Sequence, residues 1–170
     1  ILLQVLEAIK PYEDKYGRRI PIVAGGGIYT GADIARVLSL GAAGVQMATM
    51  FVCTHECDVS PNFKQAYLDA KKEDVVIIKS PVGMPGRAIR NKFLRDLEVD
   101  EKRRIRCPYR CLTACQVETA KYCIAKALLN SYSGDLDNGL IFCGQNVYRV
   151  DKIVTVKELM NELIAELKAA

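Results

Sequence analysis

Three consecutive glycines at the end of a short apolar run constrain this chain more than any other feature. The run is Ile20, Ile22, Val23 and Ala24, framed by Gly17 and Pro21, and Gly25, Gly26 and Gly27 follow directly. A short apolar stretch bounded by turn residues reads as a strand buried on both faces. Thr30 then precedes Asp33 by three residues, a capping box with aspartate in the glutamate position. Ile34, Val37 and Leu38 keep helical spacing behind it, and Gly41 stops the helix. A second buried strand is predicted over Gly44-Val45-Gln46-Met47-Ala48-Thr49. Strand, glycine turn, helix and strand within about 30 residues form the repeating unit of parallel sheets and barrels.

The other segments are weaker in pattern. Ile1, Leu2, Leu3, Val5, Leu6 and Ile9 read as the buried side of a helix over residues 1–10, ended by Pro11. The chain has no initial Met and opens inside that amphipathic element, so it is expected to be a piece of something longer. Ser60 and Pro61 open a helix with Phe63, Ala66, Tyr67 and Ala70 on one face. Residues 75–78 read as a short strand, and Pro81, Gly83, Pro85 and Gly86 as an ordered loop. A helix is predicted over 114–130, with Val117, Ile124, Ala127 and Leu128 inward, before a turn region at Asn130, Ser131, Ser133, Gly134 and Asp135. The last helix is the clearest. Thr155 and Glu158 form a capping box, Val154 and Leu159 a hydrophobic staple, and Val156, Leu159, Met160, Leu163, Ile164 and Leu167 one stripe.

Composition narrows the function classes. A chain of 170 residues, half hydrophobic, can bury a proper core. Its formal charge of +4 favours an anionic ligand but is too small to argue for nucleic acid. No apolar run approaches the roughly 18 residues of a membrane span. A signal-peptide layout is absent from the start, since Lys10 follows the apolar stretch. The seven cysteines are an odd number without framework spacing, which fits reduced thiols in a cytoplasmic protein. Nucleic-acid and membrane partners are therefore not expected; self-association into a homo-oligomer is left open.

The glycine cluster carries the functional reading. Glycines at a strand end let the backbone approach a ligand and take positive φ. Free amides there, with the helix N-terminus near Thr30, suit a dianionic phosphate. In barrels such a site is frequently built from the loops after the seventh and eighth strands. The candidate cofactor-binding residues are Ala24, Gly25, Gly26 and Gly27 after the first strand, with Gln46, Met47, Ala48 and Thr49 at the end of the second. The simpler alternative is a tight strand-to-helix turn, with Thr49 no more than a β-branched strand residue.

The stretch "IPIVAGGGIYTGADIARVLSLGAAGVQMATMF" resembles the last two βα units of flavin barrels and of the related IMP dehydrogenases. The segment "KSPVGMPGRAIRNKF", residues 79–93, separates them: it resembles the stretch after the barrel in the nitronate monooxygenase, or 2-nitropropane dioxygenase, family. "THECDVSPNFKQAYLDAKKED" fits the same family. The resemblance implies an α/β fold, the C-terminal portion of a (β/α)8 TIM barrel with an additional helical C-terminal segment. It divides the chain into last barrel units at 1–55, a family-specific insertion or cap at 56–135, and a C-terminal helix packing back on the barrel at 136–170.

The same resemblance implies FMN as cofactor, its phosphate at Gly26 and Gly27 and at a second loop falling on Ala48 and Thr49. That second loop is usually Gly-Thr; alanine fits if its φ is negative. The implied reaction is oxidation of an alkyl nitronate with O2 to a carbonyl compound and nitrite. The family's catalytic histidine arises before the penultimate strand, and His55 does not match that position. His55 reads as a solvated loop residue. The chain by itself is accordingly expected to lack catalytic competence, because two or three strands cannot close a barrel of about 250 residues. Two alternatives stand: an enoyl-acyl-carrier-protein reductase on the same FMN barrel, using NAD(P)H, and a non-catalytic flavin or iron–sulfur binding fragment.

Cys107, Cys111 and Cys115 are spaced C-x3-C-x3-C, with Cys123 beyond and Cys143 as a spare. Four-residue spacing would put three thiols on one helical face, and four thiolates are the usual requirement of an iron–sulfur cluster. The competing reading is small buried residues, which is also the expectation for Cys53 and Cys57. The basic run Lys102, Arg103, Arg104 and Arg106 reads as a solvated helix face. Arg87 and Arg90 either cover an active-site mouth or make structural salt bridges.

Overall fold

Two parallel strands joined through a helix form the end of the molecule that carries the glycines. The structure is a computed structural model and describes residues 1–100 and 104–170. Helix α1, Leu2–Tyr16, leads to strand β1, Val23–Gly25, helix α2, Gly31–Ser39, and strand β2, Gly44–Gln46. β1 and β2 pair in parallel, with Val23 opposite Gly44, Ala24 opposite Val45 and Gly25 opposite Gln46. A four-residue helix α3, Thr49–Val52, follows, then α4, Pro61–Asp69, with Ser60 as N-cap and Pro61 in its first turn. Strands β3, Val75–Lys79, and β4, Pro85–Ile89, form an antiparallel hairpin. Helices α5, Lys92–Val99, α6, Ile124–Ser133, and α7, Val156–Ala169, complete the chain.

The capping boxes form as the sequence predicts. In α2 the Thr30 side chain accepts from the Asp33 amide at 3.1 Å, while Asp33 accepts from the amides of Thr30 (3.1 Å) and Tyr29 (3.0 Å). Burial opposes ionisation of Asp33, but the Thr30 and Tyr29 amides, the Thr30 hydroxyl and Arg36 outweigh it and hold the carboxyl below its ordinary range. A depressed folded-state pKa gives stability that is present above the unfolded value and lost as pH falls through the folded one. Asp33→Asn is therefore expected to flatten the acid limb of the stability curve below about pH 4. At neutral pH it should cost roughly 1 kcal/mol. Urea midpoints for the two proteins across pH test this, and parallel curves would refute it.

α7 closes on α2 at very short range. Gly31 is buried, and its amide donates to Glu166 Oε2 at 2.6 Å. A Cβ there would collide with Glu166 Cβ and with the α7 backbone at Leu163 and Leu167. In an exposed helix Gly→Ala is stabilising; here overpacking reverses the sign, and Gly31→Ala is expected to cost about 2 kcal/mol. A raised denaturation midpoint would exclude this packing. On α7, Leu159 and Leu163 are buried, whereas Met160 and Ile164 of the same stripe are each 41% exposed.

The core lies in two clusters. One groups Tyr29, Cys53, Tyr67, Ile89, Ile141 and Val147 beneath the glycine turns; the other groups Ala88, Phe93, Leu94, Tyr122, Ala127 and Leu140 around the hairpin and α5. The stretch at 141–143 runs antiparallel to β4: Ile89 donates to Ile141 O and Cys143 to Arg87 O, both at 3.0 Å.

Several expectations need correction. Pro11 lies inside α1, which continues to Tyr16 and ends at Gly17 with φ 60°. Proline's own φ is helical, so it removes one hydrogen bond on an exposed helix without ending it. None of the apolar residues of α1 is buried, and Val23 of β1 is 60% exposed. A parallel strand is covered only when further strands and helices surround it, and among the described residues β1 and β2 pair only with each other. β2 stops at Gln46, and Thr49 opens α3 instead of ending a strand. Pro85 and Gly86, expected in a loop, open β4, with Pro85 at the strand's first position, where its missing donor is tolerated.

The predicted helix over 114–130 is also wrong in extent. α6 begins only at Ile124 and runs through Ser131 to Gly134, its left-handed C-cap. Residues 114–123 are turns and irregular chain, and Leu128 is 39% exposed. Cys107, Cys111 and Cys115 thus share no helical face. Of the basic run, Lys102 and Arg103 lie outside the described residues, while Arg104 and Arg106 are exposed on non-helical chain.

Candidate functional site

The parallel register places the ends of β1 and β2 on the same edge of the sheet. Beyond Gly25 the chain turns through Gly26 (φ 89°) and Gly27 (φ 76°), a left-handed conformation that side chains rarely adopt. A Cβ on either would meet nothing within 4 Å, so this turn presents bare backbone to open space. Beyond Gln46, the residues Met47 and Ala48 lead into α3. Ala48 has φ −132°, a negative value that accommodates its methyl group.

Both turns line one cavity of about 340 Å³. Gly26 and Gly27 form one wall, and Gln46, Met47, Ala48 and Thr49 another. Ala24 and Gly25, also expected at the site, stay within β1 away from this lining. A Cβ on Gly25 would stand 3.0 Å from Gln46 Oε1, so that glycine serves strand contact.

One predicted contributor is occupied. The first amides of α2 were expected to face a phosphate, yet Asp33 takes those of Tyr29 and Thr30, and Glu166 takes that of Gly31. Two carboxylates already complement this helix end, and a further dianion there would be repelled. The four-residue helix α3 starts beside the second turn, and its first-turn amides have no partner within the helix.

The far wall escaped the sequence reading. Phe142, Cys143, Gly144, Gln145 and Asn146 line the cavity together with Arg87 and Tyr67. Asn146 Nδ2 donates to Gly27 O at 3.2 Å, tying this wall to the glycine turn. Gly144 lies so close to Thr49 that a Cβ would run into the hydroxyl. Tyr67 donates its hydroxyl to Phe142 O at 2.6 Å, and burial pushes its phenol pKa well up. Burial likewise pushes the Cys143 thiol up to about 11, although the Arg87 guanidinium pulls it down. The available signal was an apolar run, Leu140 to Phe142, ending in Gly144: the same strand-then-glycine pattern as at Gly25.

Arg90 is bound to Glu98 at 2.6 Å, whereas Arg87 lines the cavity and makes no ion pair among the described residues. His55 is exposed, its amide bonded to Val154 O at 2.9 Å. No helix among the described residues is long and apolar enough to cross a membrane.

Comparison with known proteins matches residues 1–166 to the nitronate monooxygenase family. The chain belongs to that family. Among curated relatives it is 29% identical over 148 residues to a probable nitronate monooxygenase of Bacillus subtilis, covering 86% of this chain and 40% of that protein. It is 35% identical over 104 residues to a (3aS,4S,5R,7aS)-5-hydroxy-7a-methyl-1-oxo-octahydro-1H-indene-4-carboxyl-CoA dehydrogenase of Mycobacterium tuberculosis, covering 61% of this chain and 28% of that one. Among solved structures, nitroalkane oxidase from Streptomyces ansochromogenes aligns with a TM-score of 0.71 at 28% identity, over 99% of this chain and 43% of its own. FabK from Thermotoga maritima aligns with a TM-score of 0.69 at 30% identity, over 89% and 45%. The chain thus spans less than half the length of these relatives. Its fold is part of their TIM barrel, and the nitronate monooxygenase family is one of oxidoreductases that use a flavin.

Proposed function

We propose that the cavity between the two turns holds the phosphate of FMN, in an oxidoreductase that converts alkyl nitronates and O2 to carbonyl compounds and nitrite. The observation that carries this reading is the convergence of two strand-end turns on one cavity, with Gly26 and Gly27 at positive φ and no side chain between backbone and space. The residues fit a phosphate: backbone donors on two sides, the Thr49 hydroxyl, and an arginine, Arg87, with no carboxylate partner among the described residues. Asn146 fixes the glycine turn through Gly27 O, and Tyr67 fixes the opposite wall through Phe142 O. Both hydrogen bonds hold backbone in place before a ligand arrives, which lowers the ordering cost of binding.

When bound, FMN supplies the electron chemistry of the reaction. The residues of this cavity position its phosphate end; the catalytic histidine of the family is not among them. In this reading residues 1–55 provide the last barrel units, 56–135 the cap, and 136–170 the return segment. The reading is tested on a chain of full family length by its visible absorption spectrum and by nitrite release from propyl-2-nitronate. A flavin spectrum with nitrite formation supports it, and a colourless protein overturns the cofactor assignment. The likeness to FabK keeps an NAD(P)H-dependent enoyl reductase as a second reading. Flavin bleaching by NADH, with no nitrite from the nitronate, would favour that one.

A further inference from the structure

The hairpin of β3 and β4 stands between two cavities. Side chains alternate along a strand, and the register sets Val75 opposite Ile89 and Val76 opposite Ala88. Ile89 belongs to the first core cluster, and Arg87 lines the cavity of the glycine turns. Ala88 belongs to the second cluster, with Val76 and Ile78 packed against it. Ile78, Leu94, Leu97 and Tyr122 of that second cluster line a cavity of about 560 Å³. It shares no described wall residue with the cavity of the glycine turns.

Its walls are the hairpin turn, α5 and the segment over residues 116–122. Ile105 donates to Ala120 O at 3.3 Å, which folds the 105–120 segment back on itself, and the Gln116 amide reaches Pro81 O at 3.5 Å. The cysteines of this segment do not make a metal site: among the described residues no three ligating side chains come together. What converges instead is apolar surface with a few polar groups, the arrangement of a small-molecule site, within the usual volume of roughly 300–1,000 Å³.

The polar groups on the walls have donors to give. Tyr122 is 8% exposed, its ring meets Phe93 edge-on at 5.3 Å, and its hydroxyl has no hydrogen-bond partner among the described residues. A buried hydroxyl in that state is rare and calls for a group that completes it. Burial pushes the Tyr122 phenol up to about 12, so it stays protonated at neutral pH. Ser80 is buried; its oxygen accepts from the Val82 amide at 3.3 Å, and its proton goes to no acceptor among the described residues. Lys121 donates to Leu97 O at 2.8 Å with donors to spare. Lys79 makes no ion pair among the described residues. The carboxylate on these walls, Glu98, is held by Arg90 at 2.6 Å.

We propose that this cavity is a second ligand site, for an alkyl tail that ends in a carboxylate. The tail lies along Ile78, Leu94 and Leu97; the carboxylate accepts from the Tyr122 hydroxyl and is held by the charges of Lys79 and Lys121. An ionised carboxylate only accepts hydrogen bonds, which matches walls whose unspent groups donate. Covering the apolar floor supplies affinity, and the head group sets orientation.

The site is tested on this protein without flavin, so its outcome is independent of the cofactor reading. Isothermal titration calorimetry with decanoate is expected to show saturable one-to-one binding. Decyltrimethylammonium, with a tail of the same length and the opposite charge, should bind at least about tenfold more weakly. Lys79→Glu, at an exposed position, should weaken decanoate binding about tenfold. Val23→Ser, on the exposed side of β1, should leave it unchanged, which separates this cavity from other apolar surface. Tyr122→Phe should raise the Tm of the ligand-free protein, because it removes an unsatisfied buried hydroxyl, yet weaken decanoate binding about fivefold. A hydroxyl that serves only the fold would lower the Tm on removal and leave decanoate affinity unchanged, and that result overturns the proposal. So does absence of saturable uptake, equal affinity for the two head groups, unaltered affinity in Lys79→Glu, or a loss in Val23→Ser.

Discussion

Gly26→Asp is expected to weaken FMN binding about a thousandfold in a chain of full family length. Two effects combine. Gly26 has φ 89°, and a side chain held there costs about 1–2 kcal/mol. The new carboxylate also points into the cavity where the phosphate is proposed, and like charges about 4 Å apart cost several kcal/mol even near a surface. A total of roughly 4 kcal/mol corresponds to that factor. Gly26→Ala carries only the backbone cost and should lose roughly tenfold. Fluorescence titration of the apoprotein with FMN separates the two variants. Equal affinity of the aspartate variant and the parent would remove the phosphate from this turn.

Lys64→Met is expected to lower stability by about 3 kcal/mol, a fall in Tm of roughly 9 °C for a chain of this size. Lys64 lies on α4, is 8% exposed, and donates to Thr54 O at 2.6 Å and Cys57 O at 2.7 Å. Its ammonium therefore pins the segment leaving α3 against α4. Next to it, Thr54 pairs in parallel with Val154 at the start of the C-terminal helix. Methionine matches the volume but leaves two carbonyls without donors, and a buried acceptor stripped of its partner costs about 1–3 kcal/mol. Part of that is offset because no charge need be buried. Lys157→Met, at an exposed position on α7, should stay within about 0.5 kcal/mol. Calorimetry of the three proteins tests the difference, and an unchanged Tm for Lys64→Met would mean that water can replace the ammonium.

The segment from the first glycine turn to the second strand was legible because its signals are local. Thr30 and Asp33 cap a helix through atoms three residues apart, and the chain closes it where the Gly41 amide bonds Leu38 O and the Ala42 amide bonds Val37 O. Ser60 with Pro61, and Thr155 with Glu158, mark helix starts in the same way. Where the sequence misled, the deciding partner was distant. α2's N-terminus looked free for an anion, yet Glu166, 135 residues away, occupies the Gly31 amide. Pro85 and Gly86 looked like loop because proline and glycine dominate locally, yet pairing with β3 makes them the start of a strand.

The amino-acid sequence by itself determined the βαβ unit, its capping, the glycine turn and, through family-like segments, the kind of barrel they belong to. These rest on backbone preferences and hydrogen bonds within a few residues, which chain order alone specifies. Tertiary structure alone decided that Arg87 and residues 142–146 complete the cavity wall, that Arg90 is consumed by Glu98, and that the four-cysteine segment is a folded-back loop and not a helix. Each depends on which surfaces meet after the chain has collapsed, and spacing along the chain does not encode such encounters between remote segments.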